Sequence, residues 1–364
     1  MVKAITGAAS GPKLKAGEWV EVRSREEILG TLDASSQFEG MPFMPEMFAF
    51  CGRRFQVYKS AHKTCDTVFP VRGRRVHRAV HLETRCDGAA HGGCQAGCLI
   101  FWKEAWLKRV DGPAAANQPP AALHQIEIHP DGGAENQPLV TKVSDPQDAE
   151  PQYVCQATQL PYATSPLEWW HLSQYVEDVL SGNVSLWLVL RGMAYSMYDG
   201  LINAGIGLGR PLRWLYNAIN VPLKGTRFPR ETGKIPDGEP TPKGSLDLQP
   251  GELVRVKSHQ AILETLNTKS RNRGMYWDAE MVPYCGKTYR VRTRVTQIID
   301  EKTGKMQLFK SPCVILDSVV CESRYSNCRM FCPRAIYPYW REIWLERVVP
   351  SAEQCQVETV LTAK

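Results

Sequence analysis

The first hundred residues alternate short apolar segments with glycine-marked turns. Val20 and Val22 follow Gly17 with single polar residues between them, and this alternation predicts a short half-buried strand. Ser24 and Glu27 have capping-box spacing, which predicts a short helix immediately afterwards. Further strands are predicted at Phe55 with Val57 and at Val80 with Leu82. We therefore expect a small, strongly bent antiparallel sheet, best described as an SH3-like partial barrel, in an α+β fold.

The same pattern returns 234 residues later. Residues 17–58 align with residues 251–292 without a gap, and 17 of these 42 positions are identical. A second stretch aligns Trp102–Val110 with Trp340–Val348, including both tryptophans of each copy. This self-similarity predicts a gene duplication. Because the paired tryptophans are four residues apart, we expect a helix to close each unit.

Composition between the copies predicts linkers and a helical insert. Ala, Pro, Gln and Gly dominate after the first copy, and prolines precede the second. Between these segments, tryptophan and tyrosine at helical spacing favour helices packed between the repeats, with an amphipathic face over 183–220 on a membrane or partner as the less favoured alternative. The predicted segments are an N-terminal tail (1–16), metal-binding repeat 1 (17–110), a linker (111–164), the helical insert (165–222), a proline-rich linker (223–250), metal-binding repeat 2 (251–348) and a C-terminal tail (349–364).

Cysteine usage is the most informative feature of the composition. The chain has 364 residues and twelve cysteines, without a signal-peptide-like start or a long uncharged apolar stretch, so we expect a cytoplasmic protein with reduced thiols. Eight cysteines recur at intervals of 35, 8 and 4 in the first copy and 36, 7 and 4 in the second. They are Cys51, Cys86, Cys94 and Cys98, and Cys285, Cys321, Cys328 and Cys332. This spacing predicts two four-cysteine metal sites.

Thiolates in sets of four hold either zinc or an iron–sulfur cluster. The sequence has no Cys-x-x-Cys, and the wide spacing with a remote fourth cysteine favours two clusters of the four-iron type over two Zn²⁺ ions. A helix starting just after Cys98 would direct its N–H groups at the thiolates. Cys155 and Cys355 are alternative fourth ligands because each begins a Cys-Gln pair after its repeat, and Cys313 is expected to be a core thiol.

Some chemistry is confined to the first copy. It alone has His62 and Cys65 in one short segment, and His91 between two of its cysteines. A thiol near a histidine can act as a nucleophile, so Cys65 and His62 are candidate catalytic residues. The preferred interpretation is an additional ligand or a surface loop.

The segments HKTCDT and CRMFCPRAIYPYWREIWLERV resemble a group of bacterial tandem-repeat, cysteine-rich proteins without an assigned activity. The resemblance implies a family and no function.

The predicted metal sites favour a function in electron transfer, or as a metal-stabilised scaffold for a protein partner. The alternatives are a redox or thiol-dependent enzyme and a zinc-stabilised module that binds nucleic acid or protein. A net charge of only +6 does not demand nucleic acid.

Overall fold

The computed structural model describes residues 11–70, 72–113, 139–144 and 150–348. The chain forms two compact units. The first contains residues 1–190, 297–307 and 327–336, and the second contains residues 191–296, 308–326 and 337–364. The predicted α+β class is confirmed, because small antiparallel sheets and short helices make up the described ranges. None of these sheets closes into a barrel within the same ranges.

The α-helices of the described residues are α1 (Arg25–Leu29), α2 (Gln156–Ala163), α3 (Ser173–Leu180), α4 (Leu186–Asn203), α5 (Gly209–Lys224) and α6 (His259–Leu263). The strands are β1 (Trp19–Val22), β2 (Gln37–Phe38), β3 (Met41–Pro42), β4 (Arg54–Gln56), β5 (Lys59–Ser60), β6 (Lys63–Cys65), β7 (Gly73–Arg75), β8 (Ala79–Arg85), β9 (Leu99–Lys103), β10 (Leu107–Arg109), β11 (Lys142–Val143), β12 (Gln152–Tyr153), β13 (Ser165–Leu167), β14 (Leu253–Val256), β15 (Arg271–Asn272), β16 (Met275–Tyr276), β17 (Thr288–Ile299), β18 (Met306–Leu316), β19 (Trp340–Arg341) and β20 (Leu345–Arg347).

Among the described residues of the first unit, three sheets have three strands each, with the orders β10-β1-β4, β5-β8-β9 and β13-β7-β6, and the pairs β2-β3 and β11-β12 form two-stranded sheets. Val20 of β1 lies opposite Arg109 and Phe55, and Val80 of β8 lies opposite Trp102. The core is built on the inward positions of these strands, which is why the alternating pattern located them. The second unit is organised by a five-stranded sheet with the order β19-β18-β17-β14-β20.

Equivalent positions of the two aligned segments make the same local contacts. The Ser24 hydroxyl accepts the N–H of Glu27 in a capping box, and the Ser258 hydroxyl accepts the N–H of Ala261. The indole N–H of Trp106 donates to Thr31 at 3.1 Å, and that of Trp344 donates to Thr265 at 3.0 Å. Thr31 and Thr265 occupy the same position in the two aligned segments.

Buried glutamates between the tryptophans anchor the segment before each first strand. Glu104 accepts the N–H of Leu14 at 2.8 Å in the first unit. Its counterpart Glu342 accepts the N–H of Leu248 at 3.1 Å in the second. The paired contacts account for the shared Trp-x-Glu-x-Trp pattern.

The predicted closing helix is wrong in both places. Trp102 lies on β9, a 3-10 turn over Glu104–Trp106 follows, and the chain continues as β10. The second copy has the same arrangement of β19, a 3-10 turn and β20. A single tight turn brings both indoles into the core, so four-residue spacing did not require an α-helix. The residue after Cys98 likewise begins β9 and not the predicted helix.

The predicted helices of the insert are present as α3, α4 and α5. The expectation that they form a core is wrong for α5, because none of its side chains is buried. Among the described residues, no helix has the length and apolar character needed to cross a membrane.

Replacing Glu342 by glutamine should destabilise the protein by about 1–3 kcal/mol, because the new amide N–H₂ faces backbone donors in a buried site. The carboxylate is 3% exposed and also accepts the N–H groups of Leu246 and Asp247 at 2.6 and 3.0 Å. Urea unfolding of E342Q at pH 7 measures the loss. Exposed Glu346 provides the control variant, E346Q.

The pH dependence of the E342Q effect gives a second readout. Burial alone would raise the pKa of Glu342, but the N–H groups of Leu246 and Leu248 hold it below its usual value. The carboxylate therefore stabilises the folded state fully above the ordinary glutamate range, and this contribution is lost as the pH falls. The difference between wild type and E342Q should narrow in acid. A constant difference, or an equal effect of E346Q, would contradict the assignment.

Candidate metal site

Four cysteines of the first unit line one cavity. Cys86, Cys94 and Cys98 come from the predicted cysteine loop, and Cys155 comes from the segment before α2. Sequence reasoning favoured Cys51 as the fourth member, but Cys51 does not line this cavity. Cys155, one of the two alternative fourth ligands, does line it. The remaining lining includes His91, Glu301 and Arg334, together with apolar residues such as Met44, Ile100 and Phe101.

The loop is held at its base by strand pairing. Cys86 follows β8 and Cys98 precedes β9, and the N–H of Cys86 donates to the carbonyl of Cys98 at 2.9 Å. At Gly88 the backbone has φ of 74°, and a Cβ there would lie 1.9 Å from the carbonyl oxygen of Cys94. A glycine is therefore required at this position for the loop to fold back on itself.

A second segment of the first unit braces the outer part of the loop. The side-chain amide of Gln297 donates to the carbonyls of Gly92 and Gly93, each at 3.0 Å. Nearby, the N–H of Ile299 points at the sulfur of Cys94 at 3.4 Å. The same segment therefore contacts both the backbone of the loop and the sulfur of Cys94.

Cys155 is positioned by the start of α2. Its N–H donates to the Thr158 hydroxyl at 3.0 Å. The next residue, Gln156, bonds both the N–H and the carbonyl of Phe101 at 2.8 Å, which fixes the helix start on β9. The positive end of the helix macrodipole lies at this terminus and favours negative charge on the sulfur.

Burial raises the pKa of three of these thiols, those of Cys86, Cys98 and Cys155. It raises the pKa of Cys98 to about 12 and that of Cys155 to about 11. Burial, followed by the Glu46 carboxylate, raises the pKa of Cys86 well above its usual range. These thiols are neutral on their own, so binding a metal there must release protons.

Arg334 supplies positive charge beside the thiols. It is 2% exposed, lines the cavity, and donates to Glu301 at 2.7 Å. Its charge lowers the pKa of Cys98 against the larger effect of burial. A buried cation at this position offsets the charge of thiolates. Arg334 follows Cys332 by two residues in the sequence, and no sequence pattern placed it beside the first set of cysteines.

A smaller group of possible ligands shares Cys86. The Cys86 thiol donates to Glu46 at 2.9 Å, and the Glu46 carboxylate lies 3.7 Å from Nδ1 of His91. One ligand atom from each of these residues lies within 4.8 Å of the other two. Within the described residues, Oε2 of Glu46 and Nδ1 of His91 are buried without a hydrogen-bond partner. Sequence reasoning missed Glu46, although its identity with Glu280 in the alignment was a usable signal.

Cys51 occupies a different environment. It follows a 3-10 turn over Pro45–Phe50 and packs against the core. Burial raises its pKa to about 11, and the charges that act on it come from Arg25 and Glu26. Cys355, the other alternative ligand, lies outside the described residues.

The second set of predicted ligands is divided between the units. Cys285 and Cys321 belong to the second unit, whereas Cys328 and Cys332 belong to the first. The Cys321 sulfur lies 3.5 Å from the hydroxyl of Ser323. Neither unit alone contains all four cysteines predicted for the second site. Cys313 is fully buried in β18, in agreement with the expected core thiol.

Cys65 lies beside Cys332, and the N–H of Cys65 donates to the Cys332 sulfur at 3.0 Å. Hydrogen bonding to Cys332 and burial raise the pKa of Cys65 well above its usual value. His62 instead lies 3.1 Å from the Asp178 carboxylate. The two candidate catalytic residues thus have different partners, Cys332 for Cys65 and Asp178 for His62.

No known protein family, no curated protein and no solved structure matches this chain.

The oxidant diamide should form a disulfide between Cys65 and Cys332. The reaction should be slow at neutral pH, because the raised pKa of Cys65 keeps its thiolate form scarce. The rate should rise about tenfold per pH unit between pH 7 and 9, as the thiolate fraction does. Peptide mapping measures the cross-link. C332S should abolish it and C313S should not. A rate independent of pH, or cross-linking of other cysteines first, would contradict the assignment.

Proposed function

We propose that this protein is an iron–sulfur protein whose first unit binds one cluster, of the four-iron type, through Cys86, Cys94, Cys98 and Cys155. The observation that carries this proposal is the convergence of four thiols on one cavity. Four thiolates are the usual protein ligands of a four-iron cluster. The cluster would supply one-electron redox chemistry when bound. The chain's own residues hold it, limit water around it and set the local charge.

Charge and burial favour a cluster over bare thiols. Apolar residues surround the sulfurs, and Arg334 lies in the same cavity with its partner Glu301. Burial and hydrogen bonds to the ligands are the features by which proteins adjust a cluster's reduction potential. The exposed glycines of the loop, Gly92 and Gly93, keep one side of the site near solvent. This arrangement suits electron exchange with a protein partner in a reducing compartment such as the cytoplasm.

The two aligned segments are consistent with duplication followed by divergence. Glu46 faces Cys86 and His91 in the first copy. Its counterpart Glu280 accepts the N–H groups of Arg324 and Tyr325 at 3.0 and 2.6 Å. The second copy thus uses this carboxylate to hold a backbone loop. We infer one cluster per chain in place of the two expected from the spacing.

Protein purified without oxygen should contain about four irons per chain and show broad visible absorbance. Iron and sulfide analysis with absorption spectroscopy measures both. C155S should lose most of the iron because it removes a ligand of the cavity. The matched control C51S changes a thiol outside the cavity and should retain iron. Loss of iron in C51S with retention in C155S would overturn the ligand assignment.

A mononuclear zinc site is the second candidate, and the Glu46, Cys86 and His91 group favours it. Carboxylate, thiolate and imidazole are all zinc ligands. Elemental analysis with the variants H91N and C94S separates the two candidates. Zinc content lost in H91N and retained in C94S would assign the mononuclear site. Iron content lost in C94S and retained in H91N would assign the cluster.

A further inference from the structure

Helix α5 of the second unit has its polar face inward and its apolar face outward. Leu212, Arg213, Tyr216, Asn217 and Asn220 are partly buried, whereas the residues between them are exposed. A helix on a globular protein ordinarily turns its apolar side to the core. The inverted arrangement leaves an apolar surface without a partner among the described residues.

Specific contacts fix this orientation. The Asn217 side chain accepts the N–H of Phe228 at 2.7 Å, and the Arg213 guanidinium lies 5.9 Å from the centre of the Phe228 ring. The hydroxyl of Tyr198 on α4 donates to the carbonyl of Leu212 at 2.6 Å. The polar side of α5 is therefore engaged within its own unit, and rotation of the apolar side inward would break these contacts.

The exposed surface continues from α5 onto α4. On α5, Trp214 is 70% exposed and Leu223 is 74% exposed, and on α4 Met197 is 71% exposed. We define the hairpin face as the exposed apolar residues Met197, Leu201, Ile206, Leu208, Trp214, Leu215, Ile219 and Leu223. Exposed apolar residues gathered on adjoining helices mark an interaction site.

Charge around the hairpin face points to an anionic partner. Residues 200–230 contain no aspartate or glutamate and five basic residues. Arg227 and Arg230 are used in ion pairs with Glu231 and Asp199. Arg210 and Lys224 stand exposed near the two ends of α5. An apolar face with tryptophan, bordered by cations, fits the interfacial region of an anionic bilayer.

Two prolines also favour lipid over a partner helix. Pro211 lies in the first turn of α5 and Pro222 lies inside the helix, and both rings are exposed where a partner helix would have to pack. Ridges packed into grooves are the basis of helix–helix contact, whereas lipid imposes no such register. We propose that the hairpin face lies in the interface of a membrane that carries anionic lipid.

Co-sedimentation of the full chain with vesicles tests this proposal. Vesicles of phosphatidylcholine with about 30% phosphatidylserine should bind the protein, and vesicles of phosphatidylcholine alone should bind it more weakly. Binding to the anionic vesicles should fall in 0.5 M salt because the cationic contribution is screened. L223Q should weaken binding about tenfold, since it removes a leucine that becomes buried in lipid.

Leu308 on β18 provides a matched control in the same unit. It is 71% exposed, close to Leu223 in both type and exposure, but lies outside the hairpin face. L308Q should leave vesicle binding unchanged. Equal loss in L223Q and L308Q, or absence of binding to anionic vesicles, would overturn the proposal. Light scattering that shows a dimer dissociated by L223Q, without vesicle binding, would instead assign the face to a second copy.

Discussion

The burial of two tryptophans on either side of one glutamate is the constraint on which much of each unit depends. In the first unit Trp102 and Trp106 are fully buried, and their indole N–H groups donate to Thr84 and Thr31 at 2.9 and 3.1 Å. Between them, Glu104 holds the backbone that precedes β1. Aromatic burial therefore fixes β9, and β9 in turn supports the loop of candidate ligands.

Support passes from β9 to the candidate site through backbone contacts. Cys98 directly precedes the strand, and the Phe101 backbone anchors Gln156 beside Cys155. Cys155 is thus positioned by the hydrogen bonds of the Gln156 side chain to the backbone of β9. Its distance along the chain from the other cysteines does not determine its place. The same principle applies in the proposed cluster site and in the hairpin face: Asn217 holds α5 by accepting one backbone N–H.

Particular residues show what sequence patterns could reveal about the fold and the site. The alternation at Val20 and Val22 located β1, because half-buried strands repeat every two residues. Three members of the thiol cavity were also predicted, because they share a short loop. Cys51 was preferred to Cys155 on the strength of the gap-free alignment. The cavity includes Cys155 and not Cys51, since equivalence between aligned segments carries no information on which distant segment packs nearby.

The sequence alone determined the α+β class, the short strands and the internal similarity, since these follow from local periodicity and residue identity. Tertiary structure decided the path of the tryptophan segment, because a 3-10 turn between strands buries both indoles as well as a helix would. Packing also determines which cysteines lie next to one another and which face of α5 is exposed. Periodicity shows that a helix has two faces, but only packing determines which of them is covered.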